Sequence, residues 1–148
     1  MTNPLKAELD REPSQIRILL VEDNPADVYL LEKALKDRHI RYELIHYQDG
    51  EQATVALDKD DSGVPDLILL DLNLPRRDGF DVLKTVRAKA SLVGVPVGIL
   101  TSSDADRDRH RIALTGSERY IHKPLTLEEF VDQVGKAIAE LLATNSSL

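Results

Sequence analysis

Three short apolar runs constrain what this chain can fold into more than any other feature. Ile16, Ile18, Leu19, Leu20 and Val21 make the first, Leu67 to Leu70 the second, and Val95 to Leu100 the third. Each stops abruptly at polar residues: Glu22-Asp23, Asp71 and Thr101-Ser102-Ser103 respectively. A strand with one wet face alternates apolar and polar residues. A continuous apolar run is instead buried on both faces, as in a parallel sheet. Tyr42–Tyr47 and Arg119–Ile121 are two weaker strand candidates.

The segments between these runs have helical spacing. Asn24-Pro25 reads as an N-cap followed by proline at the first helical position, after which Val28, Leu31 and Leu35 recur three and four apart. Gly50 to Leu57 predicts a short helix carrying Ala53, Val55, Ala56 and Leu57. Asp81 to Ala90 predicts another, with Val82, Leu83 and Val86 as its apolar face. Asp104 to Leu114 is more polar and has only Ala105, Ile112, Ala113 and Leu114 to bury. Thr126 and Glu129 have capping-box spacing at the head of the last helix, whose Phe130, Val134, Ile138 and Leu141/Leu142 form one stripe. The order is strand then helix, repeated five times. That predicts an α/β protein, a doubly wound parallel sheet with helices on both faces.

At 148 residues the chain fits one domain. Residues 1–15 are polar, hold Pro4 and Pro13, and predict a flexible N-terminal arm. The folded domain is expected over 16–144, with 145–148 a frayed C-terminus. Lys+Arg 19 against Asp+Glu 26 gives a net charge of −7, a poor basis for gripping a phosphate backbone. The absence of cysteine excludes disulfides, thiolate metal sites and cysteine nucleophiles. No apolar run approaches the ~20 residues of a membrane span. The opening MTNPLKAELDREPSQ lacks the apolar stretch of a signal peptide. The expectation is a cytoplasmic protein that binds neither nucleic acid nor membrane.

In a doubly wound sheet, functional groups gather where strands end at their carboxyl edge. Here the first strand finishes on Glu22-Asp23, the third on Asp71 and the fourth on Thr101, while the fifth is followed by Lys123-Pro124. Any one of these alone is ordinary: a lone Asp after a strand is usually a turn or cap residue, and a lone Lys is usually surface. Their convergence on one rim is the informative feature. Carboxylates crowded in one pocket repel one another and need a cation. Hard oxygen ligands suit Mg²⁺, or Mn²⁺ in its place, so Glu22, Asp23 and Asp71 are candidate metal ligands, and the backbone carbonyl of Asn73 could add a fourth oxygen. The same parts suit phosphoryl transfer, in which catalysis is positioning and charge neutralisation. Asp71, at the end of the most apolar strand, is the candidate nucleophile for an acyl phosphate, with Thr101 and Lys123 donating to phosphoryl oxygens.

These residues resemble the response-regulator receiver domains of two-component signalling, the family that includes the chemotaxis response regulator. The resemblance covers Ile16 to Ala143 and rests on LLVEDNPAD (Leu19 to Asp27), DLILLDLNLPRRDG (Asp66 to Gly79), VGILTSS (Val97 to Ser103) and YIHKP (Tyr120 to Pro124). The DLNLP-basic-basic-DG form also looks like stand-alone receivers that partner phytochrome-type histidine kinases. The resemblance implies a flavodoxin-like five-stranded sheet in the order 2-1-3-4-5. It implies that Asp71 accepts phosphate from a phosphohistidine on a sensor histidine kinase, and that Glu22, Asp23, Asp71 and the Asn73 carbonyl hold Mg²⁺. Glu22 stands where many members have Asp, so its ligation is direct or through a water. Thr101 then senses the phosphate, Tyr120 is the aromatic switch, and the small Ser102 leaves that ring room. Lys123 bonds the phosphate, and the Lys123–Pro124 peptide is expected to be cis. The readout falls on the Asp104–Leu114 helix, the fifth strand and the last helix. That 104–142 face is also the expected surface for a downstream protein target or a homodimer, through Tyr120, Ile121 and Phe130. His39, His46, His110 and His122 share no ligand spacing, so the phosphodonor belongs to another protein. Arg76-Arg77, beside the site, is a candidate docking element.

Three functions compete. The first is a phosphorylatable switch, not a turnover enzyme, whose output is a protein contact. The second is a phosphatase with an aspartyl intermediate, which would want an acid/base Asp where this chain has Asn73. The third is a receiver-like binding scaffold that is never phosphorylated.

Overall fold

The computed structural model describes residues 15–59, 63–72, 74, 79–102 and 119–146. Strands β1 (Ile16–Val21), β2 (Tyr42–Tyr47), β3 (Leu67–Asp71), β4 (Val97–Thr101) and β5 (Arg119–His122) alternate with helices α1 (Pro25–Asp37), α2 (Gly50–Lys59), α3 (Gly79–Ala88) and α4 (Leu127–Ser146). A short 3-10 turn, Ala90–Leu92, follows α3. The expected helix over 104–114 and residues 1–14 lie outside the described residues.

All strand pairs are parallel, in the order β2-β1-β3-β4-β5. β3 and β4 are buried along their whole length, which is why their sequences are continuous apolar runs. One face of the sheet presents Leu19, Val21, Ile68, Leu70 and Ile99 to Ala53 of α2 and Phe80, Leu83 and Val86 of α3. The other presents Ile18, Leu20, Leu67, Leu69 and Leu100 to Leu31 and Leu35 of α1 and Phe130, Val134 and Ile138 of α4. Those are the two apolar stripes expected for the first and last helices.

Local chemistry sets where the helices begin and end. The Asn24 side chain accepts from the Ala26 N–H at 2.9 Å, and Pro25 supplies a helical φ without a wasted donor. At its far end α1 closes with two crossed bonds, Ile40 N–H to Leu35 C=O and His39 N–H to Lys36 C=O, both 3.0 Å. His39 sits between them at φ 57°, the left-handed residue this closure requires. α3 starts and stops two residues earlier than the apolar spacing suggested, and the 3-10 turn takes up the remainder. In α2 the inward positions are Gly50, Ala53 and Thr54, three and four apart, so Val55 falls on the outer face and is 49% exposed. The buried Thr54 hydroxyl is satisfied by the Gly50 carbonyl at 3.0 Å.

Two expectations about the fifth-strand face need correction. Ile121 and Phe130 are 5% and 2% exposed and belong to the core, because both point into the layer between sheet and α4. They cannot form an apolar docking patch. The surface there is instead lined by Arg119, His122, Gln133, Lys136 and Glu140, around the half-buried Tyr120. No helix among the described residues is long and apolar enough to cross a membrane.

Candidate functional site

The strand register assembles the site. Val21 pairs with Leu70, so Glu22 and Asp71 are the next residues along two neighbouring strands. Asp71 in turn lies opposite Leu100, which places Thr101 one step further along the rim. The Lys123 N–H donates to the Thr101 carbonyl at 2.8 Å, bringing the loop after β5 to the same edge. Glu22 is held in line by its own N–H, which donates to the Tyr47 carbonyl at 3.0 Å. Its carbonyl meets His46 Nε2 at 2.7 Å.

Glu22, Asp71, Thr101 and Lys123 are all buried, an uncommon fate for charged side chains unless they are paired. The pairing is supplied by one ammonium. Lys123 Nζ donates to Glu22 Oε1 at 2.6 Å, to Asp27 Oδ2 at 2.9 Å and to Asp71 Oδ2 at 3.2 Å. Burial pushes the Glu22 carboxyl up to about 8, helped by its hydrogen bond and charge repulsion with Asp71, and Lys123 opposes the rise. For Lys123, burial works toward a lower value. The Coulomb attraction of Glu22 and Asp71 overcomes it and holds the ammonium above its ordinary range.

Carboxylate oxygens of Glu22, Asp23 and Asp71 lie within 4.8 Å of one another, close enough to share one cation. Asp23 is the exposed member of the three. The donor set is all oxygen and all anionic, which suits a small hard divalent ion. The Gly79 N–H at the start of α3 donates to the Leu72 carbonyl just after β3 at 3.3 Å. A Cβ at Gly79 would sit 2.3 Å from the Asp71 carbonyl oxygen, so only glycine lets α3 start this close to the acid.

The structure thus brings together Glu22, Asp23, Asp71, Thr101 and Lys123. Tyr120 packs against the core on the α2 and α3 face, opposite Ile99 in the register. Asn73, Arg76-Arg77 and His110 lie outside the described residues. The Lys123–Pro124 peptide is trans, not cis as expected, since no described peptide bond is cis. Trans is the intrinsically preferred isomer, and the lysine reaches the carboxylates in that form. Sequence reasoning missed Asp27. It stands five residues beyond Glu22 in the first turn of α1, where an acid usually needs no explanation beyond the helix dipole. Nothing but the fold could show that it meets Lys123.

Comparison with known proteins agrees with this geometry. A family model for the response regulator receiver domain matches residues 18–135. The response regulator Rcp1 of Synechocystis is 43% identical over 95 residues, covering 62% of this chain and 65% of its own length. The transcriptional regulatory protein TrcR of Mycobacterium tuberculosis is 39% identical over 118 residues, covering 80% of this chain but 43% of its own length. The matched stretch is therefore less than two thirds of either relative. Among solved structures, the phosphorylated cyanobacterial phytochrome response regulator RcpA superposes with a TM-score of 0.80 at 33% identity, covering 90% of this chain and 98% of that one. The Mn²⁺-bound form of Rcp1 gives 0.79 at 35% identity, covering 87% and 96%. The flavodoxin-like sheet, the acidic rim and these matches show that the chain belongs to the response regulator receiver domains of two-component signalling, with phytochrome-associated response regulators among its relatives.

Proposed function

We propose that the protein is a phosphoacceptor switch that takes a phosphoryl group on Asp71 from a sensor histidine kinase, of the phytochrome type by its relatives. An Asp71 carboxylate oxygen forms the new bond to phosphorus as the phosphorus–nitrogen bond of the phosphohistidine breaks, and the imidazole leaves. Lys123 donates to one phosphoryl oxygen and the Thr101 hydroxyl to another, neutralising charge where it accumulates. Glu22, Asp23 and Asp71, with the Asn73 carbonyl, would hold Mg²⁺ or Mn²⁺, which supplies positive charge to the phosphoryl oxygens. The observation carrying this reading is the buried Lys123–Asp71 contact of 3.2 Å beside a carboxylate cluster spanning 4.8 Å.

The transfer and the later hydrolysis are self-catalysed single events, so the protein signals rather than turning over substrate. Phosphorylation draws Thr101 toward the new anion and lets Tyr120 change its packing, a population shift between two states. The receiver spans 16–144 and acts in the cytoplasm. Its output is a protein contact through the 104–142 face, with a downstream target or a second copy. Polar residues such as Arg119, Lys136 and Glu140 carry that contact in place of Ile121 and Phe130.

Incubation with a small acyl phosphate donor and Mg²⁺ should add one phosphoryl group, read by intact mass. Chelator should block the addition, and Asp71→Asn should abolish it. Labelling that persists in Asp71→Asn would overturn the assignment.

A further inference from the structure

We infer that Asp27 is a positioning residue, the anchor that receives the Lys123 ammonium when a divalent cation occupies the acidic rim. The inference rests on the reading of Glu22, Asp23 and Asp71 as the cation ligands. The Lys123 ammonium now bonds two of those three, Glu22 at 2.6 Å and Asp71 at 3.2 Å, so lysine and cation draw on the same carboxylates. Two positive centres cannot share those oxygens at close range, and the ammonium must give ground as the ion arrives. Its third partner, Asp27 at 2.9 Å, is not among the acids that converge on the candidate ion position. Asp27 is also 20% exposed on its side chain, against 2% for Glu22 and 7% for Asp71, so it lies toward the outside of the cup. An ammonium pulled off Glu22 onto Asp27 keeps a charged partner and stays beside Asp71, where a phosphoryl oxygen would appear. Without that partner, cation binding would leave a nearly buried ammonium poorly paired, which is strongly unfavourable.

The test is a double-mutant cycle on cation affinity. Mg²⁺ is titrated calorimetrically into the full chain, the Asp27→Asn variant, and the same pair in a Lys123→Met background. Lys123→Gln serves as a second background if the methionine variant does not fold. Asp27→Asn should weaken Mg²⁺ binding about fivefold when Lys123 is present. The effect should shrink to less than about twofold when Lys123 is gone, because no ammonium then needs a place to go. Asp27→Glu should recover part of the loss. Thermal melting of Asp27→Asn without metal checks that the fold is intact, a property the proposed role does not require to change. Equal weakening in both backgrounds would make Asp27 a distant charge acting on the cation itself. That result overturns the anchor, as does an unchanged affinity in Asp27→Asn. If the parent chain fails to bind Mg²⁺ at all, it is the reading of the acidic rim that falls.

Discussion

Taking a carboxylate out of water is unfavourable, and at Glu22 the cost is offset in part by the Lys123 ammonium and the Asn24 N–H, which both donate to it. The same physics operates away from the site at Tyr42, whose hydroxyl donates to Glu32 at 2.7 Å. Burial, then the hydrogen bond and negative charge of Glu32, push the Tyr42 hydroxyl up to about 12 from 10.0. A group whose folded value is raised stabilises the fold fully below its unfolded value, and loses that contribution as pH rises through the folded one. The window here is therefore pH 10 to 12. Absorbance titration of tyrosine ionisation should show one of the four tyrosines ionising late, and Tyr42→Phe should remove that late phase. In urea melts at neutral pH the variant should lose about 1 kcal/mol. A late phase that survives in Tyr42→Phe would assign the shift to another ring.

Among the elements, α1 has the clearest local logic. Its start was legible in Asn24-Pro25, because capping is a property of adjacent residues. Its end was not, because His39 carries no sign of its left-handed backbone, and glycine is the usual occupant. Replacing it by glycine, His39→Gly, should stabilise the protein by about 0.5–1 kcal/mol, since a Cβ is penalised in that conformation. Urea denaturation reads the change, and a loss of stability would show that the His39 side chain contributes more than its backbone strain removes. α2 and α3 were harder to bound than α1. Val55 looked like a core residue from hydrophobicity alone, yet the inward stripe includes Thr54, a polar residue that bonds back to the preceding turn.

On the scale of the whole molecule, the sheet divides two tasks. Its interior holds the chain together, and its carboxyl edge holds the chemistry. Ile138 is fully buried and sits about three turns into α4, away from that edge. Ile138→Ala should lower stability by about 2–5 kcal/mol. Labelling by an acyl phosphate at low temperature should persist while the variant stays folded, so chemical denaturation and labelling measured together separate core from site. Loss of labelling in a fully folded variant would mean that the two are coupled through α4. The continuous apolar runs were enough to mark β1, β3 and β4, their parallel arrangement and the acids after β1 and at the end of β3, because burial on both faces leaves no room for alternation and connections return each strand to the same edge. β2 and β5, at the sheet edges, carry no such run and were legible only as weaker candidates. That the Lys123 ammonium meets Asp27 as well as Glu22 and Asp71, and that Ile121 and Phe130 face inward, were decided only by the tertiary structure. Lys123 and Asp27 are 96 residues apart in the chain, and no local pattern encodes a contact that depends on how the start of α1 and the loop after β5 converge over one sheet edge.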